Sequence, residues 1–165
     1  MAIFSMFRLA VFALAICAAQ VAVAEGTNVA FGGLKADTSL PVEMKSDALA
    51  VNQADGNAVF TGDVVVTQGA MKLSAAEIRV EYSADKKAIE TLYATGGVLL
   101  VNAADAAQAD QAIYTISSGE VVMTGNVVLT QGQAAMSSQK LIIDLKSGTG
   151  RMDGRVTTTF TPGAN

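Results

Sequence analysis

The chain has no histidine and no tryptophan, and its single cysteine, Cys17, lies in the first two dozen residues. Each absence removes a class of chemistry. Without His, neither a Ser-His-Asp nor a Cys-His nucleophilic system can be assembled. Without His or a second Cys, zinc sites lack their usual ligands, and no internal disulfide can brace the fold. Basic residues are short too: 11 Lys and Arg stand against 15 Asp and Glu, a net charge of −4. Such a surface does not neutralise phosphates, which excludes nucleic acid as a partner. No glycine-rich loop opens a helix, so nucleotide binding has no support either. Paired carboxylates of the glycosidase kind are the one catalytic device left open. The acids, however, fall at turn positions (Asp55, Asp85, Glu120) or between apolar strand positions (Asp63, Glu77, Glu81, Asp144), as solvated charges on a sheet do. No enzyme activity and no cofactor is expected.

Proline is scarce as well. Pro41 and Pro162 are the only two, and they bracket a proline-free stretch, Val42 to Thr161. A strand ladder needs every backbone N–H, so this stretch is the expected sheet domain.

Ahead of it, Arg8 is followed by an apolar run from Leu9 to Ala19, and Ala22-Val23-Ala24 offers a small-x-small cleavage site before Glu25. That is the layout of a secretory signal peptide, cleaved after Ala24. An uncleaved membrane helix wants about 20 apolar residues, and Gln20 interrupts this one. A lipoprotein signal at Leu14-Ala15-Ile16-Cys17 is disfavoured by the bulky Ile before the Cys. The expected organisation is residues 1–24 signal peptide, 25–40 a loose leader, 41–161 the β domain and 162–165 a stub.

Within the domain one short pattern occurs four times: Thr61-Gly62-Asp63-Val64, Thr95-Gly96-Gly97-Val98, Thr124-Gly125-Asn126-Val127 and Asp153-Gly154-Arg155-Val156. The first and third copies extend, without a gap, to Thr61–Gly69 and Thr124–Gly132. A repeat of this period belongs to architectures built by stacking one unit on the next. Each unit makes two apolar passes. One alternates as Leu49 and Val51, then Ile78, Val80 and Tyr82, then Ala112, Tyr114 and Ile116, then Leu141, Ile143 and Leu145. The other carries the repeat, with Ala58, Phe60, Gly62, Val64 and Val66 alternating against Thr61, Asp63 and Thr67. Period two means a strand with one dry face and one wet face. The recurrent glycines sit on the dry side of this alternation and predict a bend or bulge. No helical stripe persists, and the alanine-rich segment Ala103–Ala112 reads as a loop at a corner. The fold class is therefore all-β: a β-jellyroll or solenoid-like stack of antiparallel strands.

The interior rows are poor in large aromatics and include Met44, Met123 and Met136, adaptable side chains suited to acyl chains. The plain alternative is that these residues simply pack as a sandwich core.

Pro41-Val42-Glu43-Met44-Lys45-Ser46-Asp47, followed by Phe60-Thr61-Gly62-Asp63-Val64-Val65-Val66-Thr67-Gln68-Gly69 and Thr124-Gly125-Asn126-Val127, strongly resembles the LptA or OstA-like family of lipopolysaccharide-transport bridge proteins of Gram-negative bacteria. The likeness runs over roughly residues 37–160. It implies a periplasmic, non-catalytic V-shaped β-jellyroll, open at both ends, whose groove shelters lipopolysaccharide acyl chains. It also implies head-to-tail joining of copies between an LptC-like inner-membrane subunit and the amino-terminal domain of an LptD-like outer-membrane protein. Carried over by position, Val42 and Met44 lie on the first inward strand. Phe60, Val64, Val66, Val80, Val98, Tyr114, Met123, Val127 and Leu129 are expected to line the groove. Val42, Val156, Thr158 and Phe160 are expected at partner-binding edges. Longer members carry a capping tail, whereas five residues follow Phe160 here. Rival readings are the anchored LptC-like subunit, a clipped LptD domain, a structural or adhesive β-solenoid scaffold, and a polysaccharide-processing β-helix enzyme.

Overall fold

The computed structural model describes residues 27–30, 32–52, 56–85 and 87–161. The expected signal peptide, its cleavage site, the 162–165 stub and the turn residue Asp55 lie outside the described residues. Eleven strands follow in chain order: β1 (Thr27–Ala30), β2 (Glu43–Lys45), β3 (Ala48–Val51), β4 (Ala58–Gln68), β5 (Met71–Tyr82), β6 (Ile89–Asn102), β7 (Asp105–Thr115), β8 (Glu120–Gln131), β9 (Ala134–Asp144), β10 (Thr149–Asp153) and β11 (Thr157–Phe160). A single 3₁₀ turn, Gly32–Leu34, lies between β1 and β2.

All pairings are antiparallel, in the order β1-β10-β9-β8-β7-β6-β5-β4-β2, with β3 beside β2 on β4 and β11 beside β10 on β9. From β4 to β10 each strand pairs with the next, so short reversals suffice to build the sheet. The two ends of this path do not pair with each other; the sheet is open rather than a closed barrel.

The glycine repeat folds this one sheet into two layers. Register is lost between Thr61 and Val64, Thr95 and Val98, and Thr124 and Val127. At each site two successive residues take left-handed φ: 80° and 43° at Gly62-Asp63, 83° and 83° at Gly96-Gly97, 79° and 47° at Gly125-Asn126. Gly154-Arg155, between β10 and β11, does the same at 82° and 46°. Two consecutive left-handed residues cannot continue a strand, so the chain turns over there. The break between β2 and β3 falls on the same line, because these strands pair with Val65–Thr67 and with Ala58–Thr61, on either side of the first bulge. The predicted bend is therefore present in every long strand.

The direction of the glycines differs from expectation. A Cβ on Gly62 would lie 2.5 Å from the carboxylate of Asp47, and one on Gly125 would collide with Asp110. Asp47 and Asp110 are exposed. The glycines thus face the outside of the bend, where an acidic side chain crosses them, and not the dry interior.

Three further expectations change. The alanine-rich segment is not a corner loop: Asp105–Thr115 is β7, a central strand with Ala107, Ala109, Ala112 and Tyr114 buried. Alanine's weak strand preference is overridden where small side chains fit between neighbours on both sides. Residues 27–30, read as loose leader, add an antiparallel strand to β10. Leu49 and Val51 share the inward face with Phe60 and Ala58, their direct partners, yet they are 55% and 60% exposed because β3 is the last strand of its layer.

Candidate functional site

The inner faces of the two layers meet in one continuous apolar interior. The first layer contributes Ala58, Ile78, Val80, Leu92, Ala94, Ala112, Tyr114, Val121, Met123, Leu141 and Ile143, every one buried. The second contributes Val64, Val66, Met71, Leu73, Val98, Leu100, Ala107, Val127, Leu129 and Met136. Of the residues expected to line a groove, Val64, Val66, Val80, Val98, Tyr114, Met123, Val127 and Leu129 are brought together here, packed layer against layer rather than along an open trough. Val42, Met44 and Phe60 pack against this core while partly exposed, toward the β3 end.

Among the described residues the interior does not stop at a polar cap at either end of the strand order. At one end the inward residues of β3, Leu49 and Val51, stand uncovered. At the other end β11 pairs with Ala134–Ser137, and Thr158 and Phe160 lie directly opposite Met136 and Ala134. Cross-strand partners share a face, so both point inward. Phe160 is nevertheless 66% exposed. Val156 packs against the core, and Thr158 is exposed. Each end thus carries an apolar inward face on a strand whose outer backbone edge has no partner among the described residues.

The long mouth, opposite the bend, is different, for it is laced shut. Gly33–Leu40 runs along it and bonds to both layers. Asn102 Nδ2 donates to the Lys35 carbonyl at 2.8 Å, and Gln68 Nε2 donates to the carbonyls of Thr38 and Leu40 at 3.0 and 2.8 Å, all on the second layer. The Ala36 N–H donates to the Leu145 carbonyl, on the first layer, at 2.8 Å. Leu34 is fully buried. Gly33 passes so near Asp105 that a Cβ would sit 2.5 Å from its carboxylate.

Gln68 also links the two layers: Tyr114 Oη donates to Gln68 Oε1 at 2.6 Å. Burial pushes the Tyr114 phenol up to about 12, because the phenolate has lost its hydration. Neither Gln68, Asn102, Asp105 nor the segment 33–40 stands out in the sequence as part of the site. The available signal is a polar residue closing a strict apolar alternation, Gln68 after Val64 and Val66.

Elsewhere, acidic residues behave as solvated surface charge. Arg79 pairs with Glu81 and stacks 4.0 Å above the Tyr93 ring on the outer face. Among the described residues no group of three His, Cys, Asp or Glu side chains could hold a metal.

Fold and interior together define a class: an open, glycine-bent β-jellyroll with an apolar interior that runs out at its two ends. Residues 43–149, more than half of the chain, match the family described as LptA/(LptD N-terminal domain) LPS transport protein, and the chain belongs to that family. It is similar to an uncharacterised protein of Rhizobium meliloti (strain 1021), with 27% identity over 149 residues, covering 84% of this chain and 80% of that one. Among solved structures it resembles LptH of Pseudomonas aeruginosa, the LptA-homologous periplasmic component of a lipopolysaccharide transport device. The TM-score is 0.68 at 19% identity, over 77% of this chain and 99% of that one. At that identity the likeness concerns the fold.

Proposed function

We propose that this protein is a periplasmic carrier of lipopolysaccharide, holding lipid A acyl chains between its two layers as one unit of a bridge from inner to outer membrane. The observation that carries the reading is the apolar interior continuing to both end strands, where Leu49, Val51 and Phe160 remain uncovered on its inward face. A sandwich built only for its own stability ends in polar or covered strands; one that passes a lipid to a neighbour needs its apolar face continuous across the joint. Removing acyl surface from water is favourable by about 25 cal/mol per Å², so acyl chains taken between the two layers are stabilised by burial. The chain itself supplies position and shelter, and no bond is made or broken.

Charge-free β11, with Thr157, Thr158, Thr159 and Phe160, and the short strand β2 offer edges for strand addition. The partners at these edges are a second copy, an LptC-like subunit on one side and an LptD-like amino-terminal domain on the other. Val42 serves one edge, and Val156, Thr158 and Phe160 the other.

Photo-crosslinking side chains at Phe60, Val64, Met123 and Leu129 test the carrier reading. They should capture lipopolysaccharide, whereas the same groups at the exposed Asp63 and Thr130 should not. Equal labelling of the two sets would sink it. The bridge part is tested separately by sedimentation over a concentration series. Growth beyond the monomer is expected, and Thr158→Pro should abolish it with the β circular dichroism retained. A wild-type chain that stays monomeric and ignores both partners' β domains is a scaffold or soluble carrier, not a bridge.

A further inference from the structure

The carrier reading raises a problem of entry. In this structure the middle of the interior is closed: Tyr114, Met123, Val127 and Leu129 have no exposed surface. An acyl chain therefore has to separate the layers, and along the long mouth the segment 33–40 ties them together. Its composition is suited to release. Inward positions after the Leu34 anchor are small or short, Ala36 and Thr38, while Lys35, Asp37 and Ser39 face solvent. Withdrawing Ala36 and Thr38 exposes little apolar surface, so most of the holding force lies in four hydrogen bonds.

Two of these four, and the Tyr114 hydroxyl besides, converge on one side chain. The Gln68 carboxamide has one acceptor oxygen and two N–H donors. Its oxygen takes the Tyr114 hydroxyl, which spans the layers, and its nitrogen holds the carbonyls of Thr38 and Leu40. Gln68 itself is buried, and no buried side-chain polar atom among the described residues lacks a partner. Parting the layers pulls Tyr114 from Gln68 and leaves the carboxamide free to turn, which loosens its hold on the strap. Conversely, a seated strap fixes Gln68 in the orientation that clasps Tyr114.

We propose that residues 35–40 are a detachable strap over the lateral mouth, that Leu34 is its anchor, and that Gln68 couples strap release to separation of the two layers. Lipid then enters from the side, along the mouth opposite the glycine bend, and the strap reseats when the interior empties. This rests on the carrier reading for the identity of the ligand, but the strap's independence from the sandwich does not.

The test uses two cysteines in the full chain with Cys17→Ser. Over Gly119 the side chains of Lys146 and Thr38 converge: a Cβ built on that glycine lies 3.0 Å from Lys146 Cγ and 3.2 Å from Thr38 Cγ2. Thr38→Cys with Lys146→Cys, joined by a short cleavable thiol crosslinker, pins the strap to the first layer. Because apparent affinity scales with the fraction of open molecules, fluorescent lipid A should bind the linked protein at least about tenfold more weakly. Cleaving the linker should restore binding, and Gln68→Leu should speed association several-fold. The uncoupled arm is hydrogen exchange: the Ala36 amide should exchange at least about tenfold faster than amides of β7 and β8, as a locally opening unit does. Equal lipid A binding by linked and cleaved protein, with wild type binding well, overturns the gate and leaves the carrier intact. Failure of wild type to bind lipid A overturns the carrier reading alone. Ala36 exchanging only with the sheet overturns the strap whatever the lipid result.

Discussion

The bend and the mouth close the same interior from opposite sides, by opposite means. The bend is made of backbone: four glycine-centred pairs of left-handed residues, three as bulges within long strands and one between β10 and β11. The mouth is made of unrepeated side chains: Gln68 and Asn102 reach a segment far away in sequence, and Tyr114 clasps Gln68 from the other layer. A backbone hinge repeated four times cannot be undone by one contact, whereas a clasp built on one carboxamide can. The side that must keep its shape and the side proposed to open are thus built from different materials.

The largest effect expected from breaking the comparison is at the bend. Gly125→Val forces a β-branched residue to φ 79° and drives its Cβ into Asp110. Left-handed strain and overpacking together should cost about 3 kcal/mol, read from the urea midpoint. An unchanged midpoint would mean the repeat glycines are incidental. Next is the clasp: Gln68→Leu leaves the Tyr114 hydroxyl and two strap carbonyls without their partner and should cost about 2 kcal/mol. It should also raise exchange at Ala36 more than in β8; uniform loosening would make Gln68 a core residue and nothing more.

Tyr114→Phe should cost about 1 kcal/mol near neutral pH, the net worth of one hydrogen bond. Its pH signature is sharper. The folded-state pKa is about 12 against an ordinary 10.0, so the folded protein holds this proton more tightly than the unfolded chain. Stability from that difference is present below pH 10 and declines as the pH rises toward 12, by at most about 1.4 kcal/mol per pH unit. The phenylalanine variant should lose that part of the alkaline slope; identical slopes would place the phenol in water. The smallest effect is again at the bend. Gly97 occupies the place held by Asp63 and Asn126 in the other bulges, with nothing within 4 Å of an added Cβ. Gly97→Asn should change stability by less than about 0.5 kcal/mol, since Asn tolerates the left-handed region. A large loss there would mean that the second bulge is held differently from the rest.

Much of the fold was legible because it is periodic. Alternation over Ile78-Val80 and Leu141-Ile143 marked buried faces correctly, and the Thr-Gly-x-Val repeat marked the line of the bend. Legibility failed where periodicity met context. Ala106, Ala107 and Ala109 carry almost no strand signal, and β7 exists because β6 and β8 leave a slot that small side chains fill. Leu49 and Val51 have the pattern of core residues, but exposure is decided by whether another strand lies beyond them.

The sequence by itself determined the all-β class, which face of most strands is dry, the recurrence of the bend and the absence of His-based or Cys-based chemistry. These follow from composition and from patterns no longer than one strand, which local sterics and solvation enforce. Only the tertiary structure decided that the glycines look outward past Asp47 and Asp110, that the expected groove residues pack shut, and that 33–40 straps the mouth. The deciding contacts join residues 67, 46 and 30 positions apart, Asn102 with Lys35, Tyr114 with Gln68 and Gln68 with Thr38. Such partners are brought together by the folding of the sheet at its bend, and no local pattern encodes which polar group will meet which.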